Sequence, residues 1–234
     1  MKEITAEERT RFFKEMTLRL NDEGYAAGKP QDGLLPVEWR GEPLCRVTSG
    51  GGVQFRESEL ERDGAREAYH RLSDLAAETA QYLRLFDQAP TLKADGLSES
   101  YRCIADFNGA VLAAHPTKYG MQFITWEWSY DHASMWQGHY YKQDFGHAKE
   151  DFAIRAGLIE RDRLFTPEQQ TEVYRSIHET LDNQYPITDE RRKLLESAAE
   201  QIERVVPGLG ELVERSNQLE LEEGAAFLRG QELL

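Results

Sequence analysis

Long apolar runs are absent from this 234-residue sequence. The longest uninterrupted stretches are a few residues, against the roughly 20 that a membrane-spanning helix needs. The opening MKEITAEERTRFF alternates charges where a signal peptide would run apolar, so no export is expected and the reading is a cytoplasmic protein. Cysteine is scarce. Cys45 and Cys103 both fall in strand-like stretches beside apolar residues and read as two reduced, buried thiols rather than a disulfide or a redox pair. Positive charge is also short: 28 basic against 42 acidic residues leave −14, which opposes attraction to nucleic acid phosphates and argues against direct nucleic acid binding. The acid is spread rather than gathered. Only residues 187–234 are enriched, with 11 acidic and 6 basic residues, and Arg191, Arg192 and Lys193 interrupt even that segment. Solubility explains this spread better than imitation of DNA.

Catalytic signatures are missing as well. Ser49-Gly50-Gly51-Gly52 lacks the following Lys-Ser/Thr and the strand-to-helix setting of a phosphate-cradling loop, so it reads as a hairpin turn. No nucleophile elbow, kinase set or dinucleotide fingerprint is present. Cys103 and His115 share a predicted hairpin, but beyond Arg102 nothing there would lower the thiol's pKa.

What the chain does contain is a set of well-punctuated helices around a β-rich middle. Thr5-Ala6-Glu7-Glu8 is a capping box opening a helix that ends by Gly24, with Phe12, Phe13, Met16 and Leu20 as its stripe. Residues 25–36 read as loop, and residues 37–39, 44–47 and 53–55 as short strands around the glycine turn. Ser58 or Asp63 caps the clearest helix, which carries Ala68, Leu72, Leu75, Thr79, Leu83 and Phe86 and stops before Pro90. Asn108-Gly109 between two strand-like runs is a strong hairpin signal. Residues 121–131 then alternate: Ile124, Trp126, Trp128 and Tyr130 are expected to face a core under a helix, and Thr125, Glu127, Ser129 and Asp131 to face solvent. A loop over residues 133–138 and a returning strand at His139-Tyr140-Tyr141 should follow.

From Gly146 the period becomes helical, with Ala148, Phe152, Ala156 and Ile159 on one face. Thr166-Pro167-Glu168-Gln169 opens another helix with Val173, Ile177 and Leu181 as its stripe. Thr188 starts a further one with Leu194, Leu195, Ala198, Ile202 and Val205 inward. After a corner at Pro207-Gly208, Leu212, Val213, Leu219 and Leu221 make a shorter amphipathic piece. The fold class that follows is α+β: a small antiparallel sheet of hairpins packed against helices over residues 1–160, with a helical C-terminal segment over 161–234.

Chemistry, if any, gathers at Glu127, Asp131, His132, His139, Asp144 and His147. A pairing around the loop would bring His132 and His139 together with Asp131 alongside, a donor set suited to Zn²⁺ or Mn²⁺. The alternative is an aromatic-rich sheet edge whose polar groups are solvated, with no cofactor. Trp136, flanked by Met135 and Gln137, is a loop tryptophan and hence a candidate interface anchor, the alternative being a loop folded back over its own hairpin.

The segments PLCRVTSGGGVQF, ADFNGAVLAAHPTKYG and FITWEWSYDHASMWQGHYYKQDFGHAKEDFAIRAGLIERDRLF carry a resemblance. With Thr125-Trp126, Tyr130-Asp131, Gly138-His139-Tyr140 and residues 148–153, most of residues 37–175 resembles a group of uncharacterised proteins carried on conjugative and other mobile elements of gut Firmicutes. The resemblance implies a context and transfers no catalytic residue. In that context the expectation is a non-enzymatic acidic inhibitor of a host defence nuclease, a CRISPR effector such as Cas9 or a restriction enzyme. Contact would run through Trp136, Met135, Asp131, His139, Glu211, Glu214, Glu222 and Glu223. A metal-dependent hydrolase acting on nucleotides or nucleic acid through Asp131, His132 and His139 is one alternative. A structural or dimerising accessory protein of conjugative transfer is another.

Overall fold

A computed structural model describes residues 4–161, 164–183 and 186–231, with side chains to residue 222. The fold is α+β, with two four-stranded antiparallel sheets and six helices among these residues. It divides into two compact units, residues 1–159 and 160–234.

The first helix, α1 (Ala6–Asp22), starts where Thr5 and Glu8 satisfy each other's backbone amides. It buries Phe12, Phe13, Met16 and Leu20. The first sheet follows, in the order β1 (Ala26–Ala27), β2 (Leu34–Trp39), β3 (Glu42–Thr48) and β4 (Val53–Gln54). Residues 25–36 are therefore not all loop, because Ala26 and Ala27 pair with Glu38 and Val37, and the start of β2 from Leu34 pairs with β3. The hairpin joining β2 and β3 turns on Arg40-Gly41, both at positive φ, a turn that the arginine conceals in the sequence. The glycine stretch 49–52 makes the next turn. Gly51 stands so close to the next helix that a Cβ would lie 2.8 Å from the Ala76 carbonyl oxygen.

That helix, α2 (Ala65–Gln88), is preceded by a short 3₁₀ turn over Glu57–Glu59, where Glu59 caps the Arg56 amide and pairs with Arg46. Its cap is Gly64, so neither Ser58 nor Asp63 holds that position. Ala68, Leu72, Ala76, Thr79 and Leu83 form its buried stripe. One continuous core gathers α1, α2, the apolar residues Leu35, Val37, Leu44 and Val47 of the first sheet, and the inner face of the second.

The second sheet runs β5 (Arg102–Phe107), β6 (Ala110–Thr117), β7 (Gly120–Trp128) and β8 (Met135–Lys142), in that order. Asn108 and Gly109, both at positive φ, turn β5 into β6 as their sequence predicts. Here β7 departs from the expected pattern, because both of its faces are buried. Met121, Phe123 and Thr125 face α1, α2 and α3 (Phe145–Arg155), where Phe123 packs against Tyr82 and Phe145. Ile124 and Trp126 face the other way, into a second cluster with Leu92, Tyr101, Val111 and Ala113. So Trp126 is core, but the segment between α2 and β5 covers it rather than a helix. Tyr130 is fully exposed and Trp128 only partly buried, because β7 ends at Trp128.

Side-chain hydrogen bonds anchor this sheet to its neighbours. Glu15 of α1, itself buried, accepts from the Tyr82 hydroxyl (2.9 Å) and from the Met121 amide (2.7 Å) at the start of β7. Asn108 donates to the Ala156 carbonyl at the end of α3 (3.2 Å). The two thiols are free: Cys45 on β3 is buried and Cys103 on β5 partly so. Burial pushes them up to about 12 and about 11, which leaves both protonated and unreactive near neutrality.

The second unit comprises α4 (Pro167–Asp182), α5 (Asp189–Val205) and α6 (Leu209–Gln231). Thr166 with Gln169, and Thr188, cap α4 and α5 as read from the sequence. Ile177, Ala199, Ile202, Val206 and Leu209 form its small core. Leu194 and Val205, expected inward, are exposed, and Val173 is too. The last helix is also one long piece rather than a short one.

Gly138 of β8 lies beneath the Trp126 indole, and a Cβ there would fall 2.5 Å from Nε1. Gly138→Ala should therefore displace a buried tryptophan and cost about 1–3 kcal/mol by overpacking, measured by urea unfolding followed through tryptophan emission.

Candidate functional site

Strand β8 is an edge strand, and its ladder with β7 shifts register twice, between Phe123 and Ile124 and between Thr125 and Glu127. At the second shift His139 lies opposite Thr125 and Trp136 opposite Glu127, so three residues of β8 span two of β7. The extra residue is absorbed at Gln137, whose φ is 50°. A bulge of this kind re-aims the side chains beside it. Because Thr125 and Glu127 share a face, Trp136 and His139 now share it as well, and that face is the one α3 packs on. Trp136 is thus a strand residue and not a loop tip. The residue is 53% exposed, and its indole is held in place by donation from Nε1 to the Trp128 carbonyl (3.0 Å).

Beneath this face lies a polar cluster. Asp151 of α3 is buried, yet its carboxylate accepts from the Thr125 hydroxyl, from Arg155 Nε (3.1 Å) and from His139 Nδ1, 3.3 Å from each oxygen. A carboxylate can only accept, so His139 meets Asp151 as the donor, through an N–H at Nδ1. Arg155 has a buried Nη1 with no hydrogen-bond partner, and the Glu127 carboxylate stands 3.9 Å from it. Chemically this is an oriented imidazole with a fixed carboxylate behind it. Among the described residues the hydrogen bonds of His139 go to Asp151 and to no hydroxyl or thiol nucleophile.

The six residues singled out in the sequence separate into three groups. Asp131 belongs to the turn after β7, where the Ser129 hydroxyl (2.6 Å) and the Ala133 amide (3.2 Å) donate to it and hold its carboxyl below the usual range. His132 sits in the same turn at positive φ with its ring 5.3 Å from that of Trp128. Asp144 caps α3 by accepting from the His147 amide (2.9 Å), and His147 is its neighbour in that cap. Only Glu127 and His139 reach the bulged face.

The expected pairing of His132 with His139 therefore fails. His139 is opposite Thr125, three residues or about 10 Å along β7 from Trp128, where His132 stacks. Among the described residues no group of three or more His, Cys, Asp or Glu converges to hold a metal ion. Met135 is partly buried, packed against the outer cluster of Ile124 and Trp126. Glu211, Glu214 and Glu222 are exposed on α6 in the second unit, with Glu222 accepting from Gln218 (2.9 Å). The side chain of Glu223 lies outside the described residues.

Asp151 and Arg155 were not anticipated. Their signal was present in the spacing, since an i, i+4 acid–base pair on the same turn as Ala148 and Phe152 places charge where a helix also buries apolar residues. Comparison with protein-family models, with curated proteins and with solved structures found no match.

The cluster makes unequal demands on its members. Asp151→Ala would leave Arg155, whose side chain is 8% exposed, without its carboxylate, and should cost about 3–5 kcal/mol. His139→Ala removes a half-exposed partner and should cost under about 1 kcal/mol. Denaturant unfolding of the two variants checks the ranking.

Proposed function

We propose that this chain is a non-enzymatic, acidic interaction protein of a mobile genetic element that inhibits a host defence nuclease, a CRISPR effector or a restriction enzyme. It would do so by occupying the enzyme's basic nucleic-acid-binding surface. The observation that carries this reading is the exposed tryptophan Trp136, 53% exposed and held by its Nε1 hydrogen bond, on the edge strand of a chain whose net charge is −14. Large aromatic side chains held rigid at the surface are the usual anchors of protein interfaces, because they bring much contact area at little entropic cost.

The edge itself favours recognition by side chains. Bulges and positive φ at Gln137 and Lys142 break the regular row of amides and carbonyls that an added strand would need. Charge supplies the rest. Residues 160–234 hold 17 acidic and 9 basic residues, and complementary potential speeds encounter with a basic channel. The resemblance to mobile-element proteins supports the same reading.

A second reading, a structural or dimerising accessory protein, is favoured by the exposed leucines Leu194 (72%) and Leu221 (69%) of the helical unit. Light scattering separates it: a homodimer that Leu194→Asp with Leu221→Asp converts to monomer supports this reading, and a monomeric parent contradicts it.

The inhibitor reading predicts that the full-length chain captures a CRISPR effector or restriction subunit in a pull-down. Capture should weaken as salt rises, and Trp136→Ala should reduce affinity by at least about tenfold. No binding above background across both classes of nuclease contradicts it.

A further inference from the structure

We propose that Trp136 and Glu127 form a receptor for an arginine side chain presented by a basic protein. The inference rests on the reading of this chain as a protein-binding one and specifies what its bulged face recognises. Three observations carry it.

The first is placement. Trp136 and Glu127 are directly opposite each other in the β7–β8 ladder, a relation that puts Cβ atoms about 4.5–5.5 Å apart on one face. An indole and a carboxylate at that separation match the face and the edge of a guanidinium, which stacks flat on an aromatic ring and forks its in-plane N–H groups onto a carboxylate.

The second is availability. Trp136 is 53% exposed, and the bond from its Nε1 to the Trp128 carbonyl fixes the ring before any ligand arrives. The Glu127 side chain is 35% exposed, and its pairing to Arg155 is long at 3.9 Å. Arg155 is the nearest competing cation, but Asp151 holds it at 3.1 Å. The carboxylates of Glu127 and Asp151 outnumber the one guanidinium of Arg155, so these three side chains sum to one negative charge and the face retains attraction for a cation.

The third is that the molecule already makes the stacking half of this contact elsewhere. Arg40 lies over the Trp39 ring with Cζ 4.2 Å from the ring centre. Lysine offers a point charge without the planar fork, so the receptor should prefer arginine to lysine at equal charge. A basic nucleic-acid-binding surface, rich in such side chains, is the kind of partner it fits.

The test is calorimetric titration of the full chain with hexa-arginine and hexa-lysine at about 0.15 M salt, where exposed charges beyond a Debye length are screened. Wild type should bind hexa-arginine at least about fivefold more tightly than hexa-lysine. Glu127→Gln and Trp136→Leu should each abolish that preference. Glu67→Gln removes the same charge from the exposed face of α2 and should leave it intact. Circular dichroism confirms that the variants fold, and Glu127→Gln carries the test if Trp136→Leu does not. Equal binding of the two peptides, or a preference that survives Glu127→Gln, overturns the receptor. An arginine preference without nuclease capture sustains the receptor and overturns the inhibitor reading. Capture without the preference does the reverse.

Discussion

Strand β7 is buried on both faces, and this constraint organises the larger unit. On one face Phe123 closes against Tyr82 and Phe145 while Thr125 donates to Asp151, so α3 is tied to the sheet by packing and by a buried polar bond together. On the other face Ile124 and Trp126 are sealed by the segment that carries Leu92 and Tyr101. That segment is in turn pinned to the turn after β7, because the Asp95 amide donates to the Ala133 carbonyl (2.8 Å). A strand with no free face cannot slide, since a one-residue slip would exchange the two sets of side chains. Register irregularities are therefore pushed outward onto the edge strands, between Cys103 and Ala105 on β5 and, twice, along the ladder of β7 with β8.

The bulge in β8 is the consequence, and it makes the surface of interest. Trp126 needs room over the backbone of β8, which Gly138 provides by having no Cβ. With Gln137 taking a positive φ just before it, the chain gains a residue, and Trp136 emerges on the same face as His139. The exposed indole, the Glu127 carboxylate and the imidazole backed by Asp151 are thus products of one packing solution. Their preorganisation follows from the rigidity of β7 beneath them, and preorganised side chains lose little entropy on binding.

Much of this architecture was legible in the sequence where local chemistry decides structure. The Thr5 and Thr166 capping boxes, the Asn108-Gly109 hairpin and the stripe of α2 depend on neighbours within a few residues, and each forms as its pattern indicates. The failures are of another kind. Alternation in residues 121–131 correctly marks a strand, but the polar sequence of Thr125 and Glu127 reads as solvated until Asp151 and Arg155 arrive from α3 to meet them. The Arg40 and Gln137 backbones take positive φ without the residues that normally announce it. Trp136 read as loop for that reason, and the same unseen bulge broke the imagined pairing of His132 with His139. Contacts between distant elements, not local propensity, set each of these positions.

The central claim is that the bulged face of β8, rather than acidity alone, contacts a basic partner. Four tryptophans give four indole N–H resonances in a ¹⁵N-correlated spectrum, and Trp136 is the one carried on that face. On adding an arginine-rich segment of a captured nuclease, the account predicts a shift or broadening of the Trp136 indole signal that is larger than that of buried Trp126. An unmoved Trp136 signal, with perturbation confined to the acidic helices of the second unit, would contradict it.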